Sequence, residues 1–186
     1  MQIDRIYYPV ETLGFGKRIG IWTVGCPRKC YNCSNPELQE TNAGKDISIV
    51  EVIDIISKYV NVADGITITG GEPFKQFEEL KILLEEIAHL GFDDVLVYTG
   101  YTIGELINLG YEAAFRNIGI LIDGEYIDNL NDNVGIRGSS NQKVHILKPE
   151  LEEIYNQLSR KKRQIQTVNC DGKLYGIGIP ISNKNR

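Results

Sequence analysis

The chain has 186 residues, of which 42% are hydrophobic and 24% charged, a size and composition that fit one folded domain spanning residues 1–186. Its formal net charge of −5 argues against nucleic-acid binding, which usually requires a basic surface. The sequence has no run of about 18 apolar residues, so we expect no membrane span. Residues 1–18 carry scattered charges and do not resemble a signal peptide. We therefore expect a cytoplasmic protein, in which clustered cysteines indicate a metal or catalytic site rather than disulfides.

Apolar runs that predict strands alternate along the chain with segments of helical periodicity. The expected strands cover residues 19–24, 66–69, 95–99, 118–122 and 143–147. The expected helices cover residues 48–60, 76–90, a short segment from 102, and about 150–159. Ser48 with Glu51 forms a capping box at the start of the first helix. The last part of the chain, with Asp171-Gly172 as its turn, predicts a C-terminal β-hairpin.

The alternation of strands and helices predicts an α/β fold with a largely parallel sheet. Six strands of this type would form a partial, open (β/α) barrel, because the chain is too short for eight complete units. In such folds the chemistry lies in the loops at the carboxyl ends of the strands. Four loops with distinctive residues are expected at this edge: the cysteine loop and residues 70–73, 99–101 and 123–124.

Three cysteines, Cys26, Cys30 and Cys33, lie within eight residues directly after the first expected strand. Soft thiolates at this density select zinc or an iron–sulfur cluster. A structural zinc site normally has four protein ligands, but the fourth cysteine, Cys170, lies far away in the expected hairpin and is predicted to be an inert, partly buried thiol. Three thiolates on a four-iron cluster would leave one iron open for an outside ligand. A zinc site remains the alternative interpretation.

The C-x3-C-x2-C spacing after a strand resembles the signature of the radical S-adenosylmethionine (SAM) superfamily, and residues 25–36 are similar to its activating-protein branch. The resemblance implies that Cys26, Cys30 and Cys33 bind a 4Fe-4S cluster, whose fourth iron is chelated by the amino and carboxylate groups of SAM. This chain has Asn32 where many members carry an aromatic residue, with Tyr31 one place earlier.

The segment Gly70-Gly71-Glu72-Pro73 ends the second expected strand. Two glycines at a strand end allow close approach of a ligand to the backbone, and Glu72 offers an anionic partner. The superfamily carries a similar element, whose backbone and carboxylate receive the methionyl ammonium of SAM. The resemblance therefore implies that these four residues bind SAM.

Two later segments, residues 121–124 and 137–142, are similar to the anaerobic ribonucleotide reductase activating proteins, so the resemblance covers residues 19–147. They imply further SAM contacts from Asp123, Arg137 and Asn141. Thr99 is expected to line the nucleoside pocket, and Tyr101 either lines that pocket or packs in the core.

The resemblance implies reductive cleavage of SAM to a 5′-deoxyadenosyl radical, which removes a hydrogen atom from a glycine of a partner glycyl-radical enzyme similar to anaerobic ribonucleotide reductase. A flavodoxin or ferredoxin is the expected electron donor, and neither nucleic acid nor a membrane is an expected partner. The alternatives are a radical SAM enzyme that modifies a peptide or small molecule, and a zinc-binding interaction module.

Overall fold

The computed structural model describes residues 1–41, 44–170 and 172–181. Within these residues, seven strands form one mixed sheet and two form a separate hairpin. The sheet strands are β1 (Gln2–Val10), β2 (Arg18–Thr23), β3 (Lys45–Asp46), β4 (Gly65–Gly70), β5 (Val95–Tyr98), β6 (Ile120–Asp123) and β7 (Lys143–Ile146). The hairpin strands are β8 (Gln166–Cys170) and β9 (Lys173–Ile177).

The sheet has the spatial order β3-β1-β2-β4-β5-β6-β7. Its four central strands, from β2 to β6, are parallel, whereas β1, β3 and β7 are antiparallel to their neighbours. The parallel register places Ile68 beside Ile21 and Val97. Rows of apolar side chains therefore run across the sheet, as expected for central strands that are buried on both faces.

Four α-helices follow the strands: α1 (Ile49–Ser57), α2 (Phe77–His89), α3 (Ile103–Asn108) and α4 (Glu152–Leu158). The predicted Ser48–Glu51 capping box is present at α1, and Thr102 forms a second one with Glu105 at α3. Gly91 follows α2 with φ +86°, a left-handed conformation that favours glycine after a helix. Each of these helices begins where its capping or periodicity signal indicates.

The two faces of the sheet are covered differently. On one face Ile66 and Ile68 pack with α1, α2 and α3 in a continuous apolar core. On the other face Leu96, Ile120 and Ile122 pack with Tyr155 of α4 and with the C-terminal hairpin. Successive side chains of each central strand point to opposite faces, so one strand contributes apolar residues to both cores. The second face also borders the cavity that the cysteines line.

The five predicted strands, the predicted helices and the C-terminal hairpin are confirmed, although Asp171 of the predicted turn lies outside the described residues. One expectation changes: β7 runs antiparallel to β6, so the parallel arrangement is confined to the four central strands. The strand β1 was not predicted. In the described ranges the edge strands β3 and β7 do not pair with each other, so the sheet is open, and its description as a partial barrel stays a prediction.

An α-helix that crosses a bilayer needs about 20 mostly apolar residues. Within residues 1–41, 44–170 and 172–181, none of the helices combines the length and the hydrophobicity for such a span.

Candidate functional site

The cysteine loop follows β2 and is shaped by its backbone. Gly25 has φ +86°, and the adjacent amide of Cys26 donates a hydrogen bond to the carbonyl of Gln39 over 2.9 Å. Lys29 and Asn32 adopt left-handed conformations with φ 50° and 53°, which bend the chain between the cysteines. The three thiols that result are half-buried and not in disulfides.

The segment 70–73 lies directly against this loop. The amide of Gly71 donates to the carbonyl of Thr23 over 2.8 Å, and the amide of Glu72 donates to the carbonyl of Gly25 over 2.9 Å. A Cβ atom on Gly71 would lie 2.6 Å from the Gly25 oxygen, and one on Gly70 would lie 2.5 Å from the Thr23 oxygen. Gly70 is therefore required by the close approach of the end of β2, and Gly71 by the close approach of the cysteine loop.

Glu72 is 1% exposed, and its carboxylate accepts three hydrogen bonds. Oε1 accepts from the Phe74 amide over 3.0 Å and from the Thr99 hydroxyl over 2.9 Å, and Oε2 accepts from the Gly100 amide over 2.7 Å. Despite these donors, burial raises the pKa of Glu72 to about 7. Pro73 is buried at the start of the 3-10 helix Pro73–Gln76 and does not line the cavity.

We expect the unfolding free energy of the protein without SAM to fall as pH rises through the range from 4.5 to about 7, because folding raises the pKa of Glu72 across it. Within this range the folded state holds a proton that the unfolded state has released. The loss, about 3 kcal/mol, is complete above the folded pKa. Chemical denaturation of the wild type and of Glu72→Gln across this range should show the slope in the wild type alone. Equal slopes would contradict it.

Arg28 joins the cysteine loop to the loop between β5 and α3. Its guanidinium lies 4.4 Å from the centre of the Tyr101 ring, and its Nη2 donates to Oε1 of Glu105 over 2.7 Å. The hydrogen bond from Arg28 lowers the pKa of Glu105 to about 2. A Cβ on Gly100 would lie 2.9 Å from Cγ of Arg28, so the two loops are in close contact. Arg28 is not among the predicted site residues, because nothing in the local sequence places it near Tyr101.

One cavity of about 370 Å³ connects the residues of both loops. Its walls include all three cysteines together with Gly70, Gly71, Glu72 and Thr99. The structure therefore brings together seven of the eleven predicted site residues. The remaining walls come from the sheet, the loop after β6 and the C-terminal hairpin, and they include Trp22, Tyr98, Tyr126, Gln142, Ile165 and Ile177.

Three predicted SAM contacts lie outside this cavity and already have partners. Asp123 accepts a hydrogen bond from the Ile103 amide over 2.7 Å, and Arg137 donates to Asp132 over 2.8 Å. Asn141 donates to a backbone carbonyl over 2.8 Å. Asp123 and Asn141 line a neighbouring cavity of about 470 Å³, which shares Arg28 and Gly100 with the first.

The donor set of the cysteine loop fits an iron–sulfur cluster because three soft thiols face one cavity. Burial raises the pKa of Cys30 to about 11 and also raises the pKa of Cys26, so each of these thiols would have to release a proton in order to bind metal. Among the described residues, no three His, Cys, Asp or Glu side chains are gathered as ligands for a metal ion. The fit therefore rests on the chemistry of the thiols and on their common cavity.

Comparison with known proteins finds a family model and several relatives that match most of this chain. The model of the 4Fe-4S single cluster domain family matches residues 12–145. The chain is 29% identical to the anaerobic ribonucleoside-triphosphate reductase-activating protein of Enterobacteria phage T4, in a match that covers 77% of this chain and 93% of that protein.

Two further relatives are pyruvate formate-lyase-activating enzymes. The enzyme of Staphylococcus epidermidis is 26% identical over 76% of this chain, and that of Staphylococcus aureus is 27% identical over 75%. The matches span about 60% of the length of these two enzymes. The family model covers well over half of the chain, and its 4Fe-4S description agrees with the three thiols on the cavity. The chain therefore belongs to the 4Fe-4S single cluster domain family and, with these relatives, to the radical SAM activating enzymes, which use a 4Fe-4S cluster and SAM.

Proposed function

We propose that this protein removes a hydrogen atom from a glycine of a partner glycyl-radical enzyme similar to anaerobic ribonucleoside-triphosphate reductase. The observation that carries the proposal is the single cavity lined by Cys26, Cys30 and Cys33 on one side and by the Gly71–Glu72 turn beside them. A cluster held by these thiols and a SAM molecule bound at this turn would be neighbours. The name of the phage T4 relative supports the choice of partner.

The thiolates of Cys26, Cys30 and Cys33 would hold the cluster and leave one of its irons without a protein ligand, open to SAM. When bound and reduced, the cluster would supply the one electron needed for cleavage of SAM to methionine and a 5′-deoxyadenosyl radical, which could take a hydrogen atom from the substrate to give 5′-deoxyadenosine. The substrate carbon keeps the unpaired electron. The reductant is a one-electron donor of the flavodoxin or ferredoxin class.

The residues of the chain bind and orient SAM. The buried carboxylate of Glu72 lies at the cavity wall, where an ammonium group would favour its ionised form. Thr99 positions that carboxylate through the 2.9 Å hydrogen bond and also lines the cavity. We retain Asp123, Arg137 and Asn141 as proposed SAM contacts, each of which would have to exchange a partner that it holds here.

We infer that residues 1–186 act as one radical SAM domain, in which the open sheet serves as the partial barrel expected from the sequence. We place the protein in the reducing cytoplasm, where the free thiols of the cysteine loop would not be oxidised to disulfides. The phage T4 relative is matched over 93% of its length, which supports a domain of the same kind.

The test is electron paramagnetic resonance of anaerobically reconstituted, reduced protein with SAM and the anaerobic ribonucleotide reductase encoded in the same genome. We expect a glycyl-radical doublet together with 5′-deoxyadenosine. Formation of 5′-deoxyadenosine without the doublet would instead favour modification of a peptide or small molecule. A colourless protein that retains zinc would refute the radical chemistry.

A further inference from the structure

We define the C-terminal wall of the cavity as Ile165 and residues 176–181. This wall packs through Ile177 and Ile179 on the second face of the sheet. At one end the hydroxyl of Thr12 donates to the carbonyl of Ile177 over 2.9 Å. At the other end the carbonyl of Pro180 accepts hydrogen bonds from Arg163 over 2.9 Å and from Asn131 over 3.3 Å. The wall is therefore attached both to the loop between β1 and β2 and to the loop after β6.

Arg163 connects this wall to the segment after β6. Its residue is 9% exposed, and its guanidinium donates to Asn131 over 2.6 Å and to the carbonyls of Arg137 and Gly138 over 2.5 and 3.1 Å. These bonds connect the wall to the segment 137–142 that the sequence analysis singled out. Because a buried guanidinium without its partners would be costly, this geometry is strongly constrained.

The isoleucines of the wall fall into two groups. Ile177 and Ile179 are 3% and 8% exposed and pack in the core. Ile165 and Ile181 line the same cavity but are 51% and 49% exposed. The cavity thus combines the thiols and Glu72 with an apolar rim that remains open to solvent.

We propose that Ile165 and Ile181 select the protein substrate by receiving an apolar side chain that lies next to the reacting glycine. This inference rests on the proposed function. A glycine has no side chain, so an enzyme that must recognise one glycine has to contact its backbone and the side chains of the adjacent residues. The rim is continuous with the cavity of the cysteines, and it offers apolar contact in which an ionised side chain would lose hydration without gaining a partner.

The test compares Ile165→Asn and Ile181→Asn with a matched control, Leu174→Asn. Leu174 lies in β9, between the two rim residues in the sequence, and is 75% exposed, but it does not line the cavity. Radical yield is measured against the concentration of the anaerobic reductase from the same genome, with SAM saturating. We expect each rim variant to raise the concentration for half-maximal yield by roughly tenfold or more, the factor that follows from loss of one buried aliphatic contact. The control should stay within about twofold of the wild type.

The conservative variants Ile165→Val and Ile181→Val should restore most of the affinity, because they keep the apolar contact. The inference is overturned if the asparagine variants behave like Leu174→Asn. It is also overturned if the asparagine variants lower the yields of 5′-deoxyadenosine and of the glycyl radical in equal proportion at saturating reductase. The rim would then act on the binding or cleavage of SAM and not on the protein substrate. A wild type that forms no 5′-deoxyadenosine would refute the proposed function itself, a result distinct from both.

Discussion

Replacing any one of Cys26, Cys30 and Cys33 with alanine is expected to abolish 5′-deoxyadenosine formation. Each thiol faces the common cavity, and the described cavity wall contains no other cysteine that could substitute for it. Loss of one thiolate would leave two irons without a protein ligand and would destabilise the cluster as well as the SAM site. The measurement is product formation by anaerobically reconstituted protein, together with iron content and the visible absorbance of the cluster.

Cys170→Ala is the control for this series, since Cys170 is the last residue of β8 and lies far from the loop in sequence. This variant should retain its iron and its activity. Loss of the cluster in Cys170→Ala would show that the ligand set is wrong. Full activity in any of the three cysteine-loop variants would also show that the ligand set is wrong.

Arg18→Met is expected to lower the free energy of unfolding by about 3–5 kcal/mol, the usual cost of removing one member of a buried ion pair. Arg18 is 0% exposed at the start of β2, and its Nη1 and Nη2 donate to the two carboxylate oxygens of Asp94 over 2.8 and 3.0 Å. Its Nε donates to the hydroxyl of Thr67 over 2.7 Å. The hydroxyl of Tyr155 also donates to Asp94 over 2.7 Å, but this neutral donor would not replace the positive charge that the buried carboxylate loses.

Arg116→Met provides the comparison for this effect. Arg116 forms an ion pair with Glu85 over 2.5 Å, but its side chain is 67% exposed. Because solvent screens exposed pairs, this change should cost less than about 1 kcal/mol. Chemical denaturation of both variants measures the difference. Similar losses in the two would show that burial does not determine the contribution of Arg18.

Local signals predicted most of the fold. The capping boxes at Ser48 and Thr102 place the starts of α1 and α3, and the apolar runs place the central strands. The first strand was missed because Gln2–Val10 mixes charged and aromatic residues and is half-buried along most of its length. The direction of β7 is not encoded in its own residues. The segment between β6 and β7 forms only a 3-10 helix, Asp128–Leu130, so the chain returns antiparallel without a crossover α-helix.

The site was predicted as far as its motifs are continuous in sequence. The three cysteines were recognised by their C-x3-C-x2-C spacing, and the segment 70–73 by its four consecutive residues at the end of a predicted strand. Arg28 was missed because its partners, Tyr101 and Glu105, are more than 70 residues away. Asp123 stays a proposed SAM contact, and the structure adds that its carboxylate accepts a hydrogen bond from the Ile103 amide. Sequence reveals such polar loop residues, but it does not reveal which backbone amides they cap.

The position of Arg18 has a practical consequence for engineering. The Arg18–Asp94 pair lies at the amino ends of the parallel strands, while the cysteine loop lies at their carboxyl ends, one length of β2 away. Six residues of strand span roughly 17 Å, beyond the distance of about 7–10 Å over which substitutions usually interact energetically. Stabilising changes introduced around the amino ends should therefore add to loop variants without altering their chemistry. They would offer a robust background in which fragile substitutions of the cluster loop can be purified and compared.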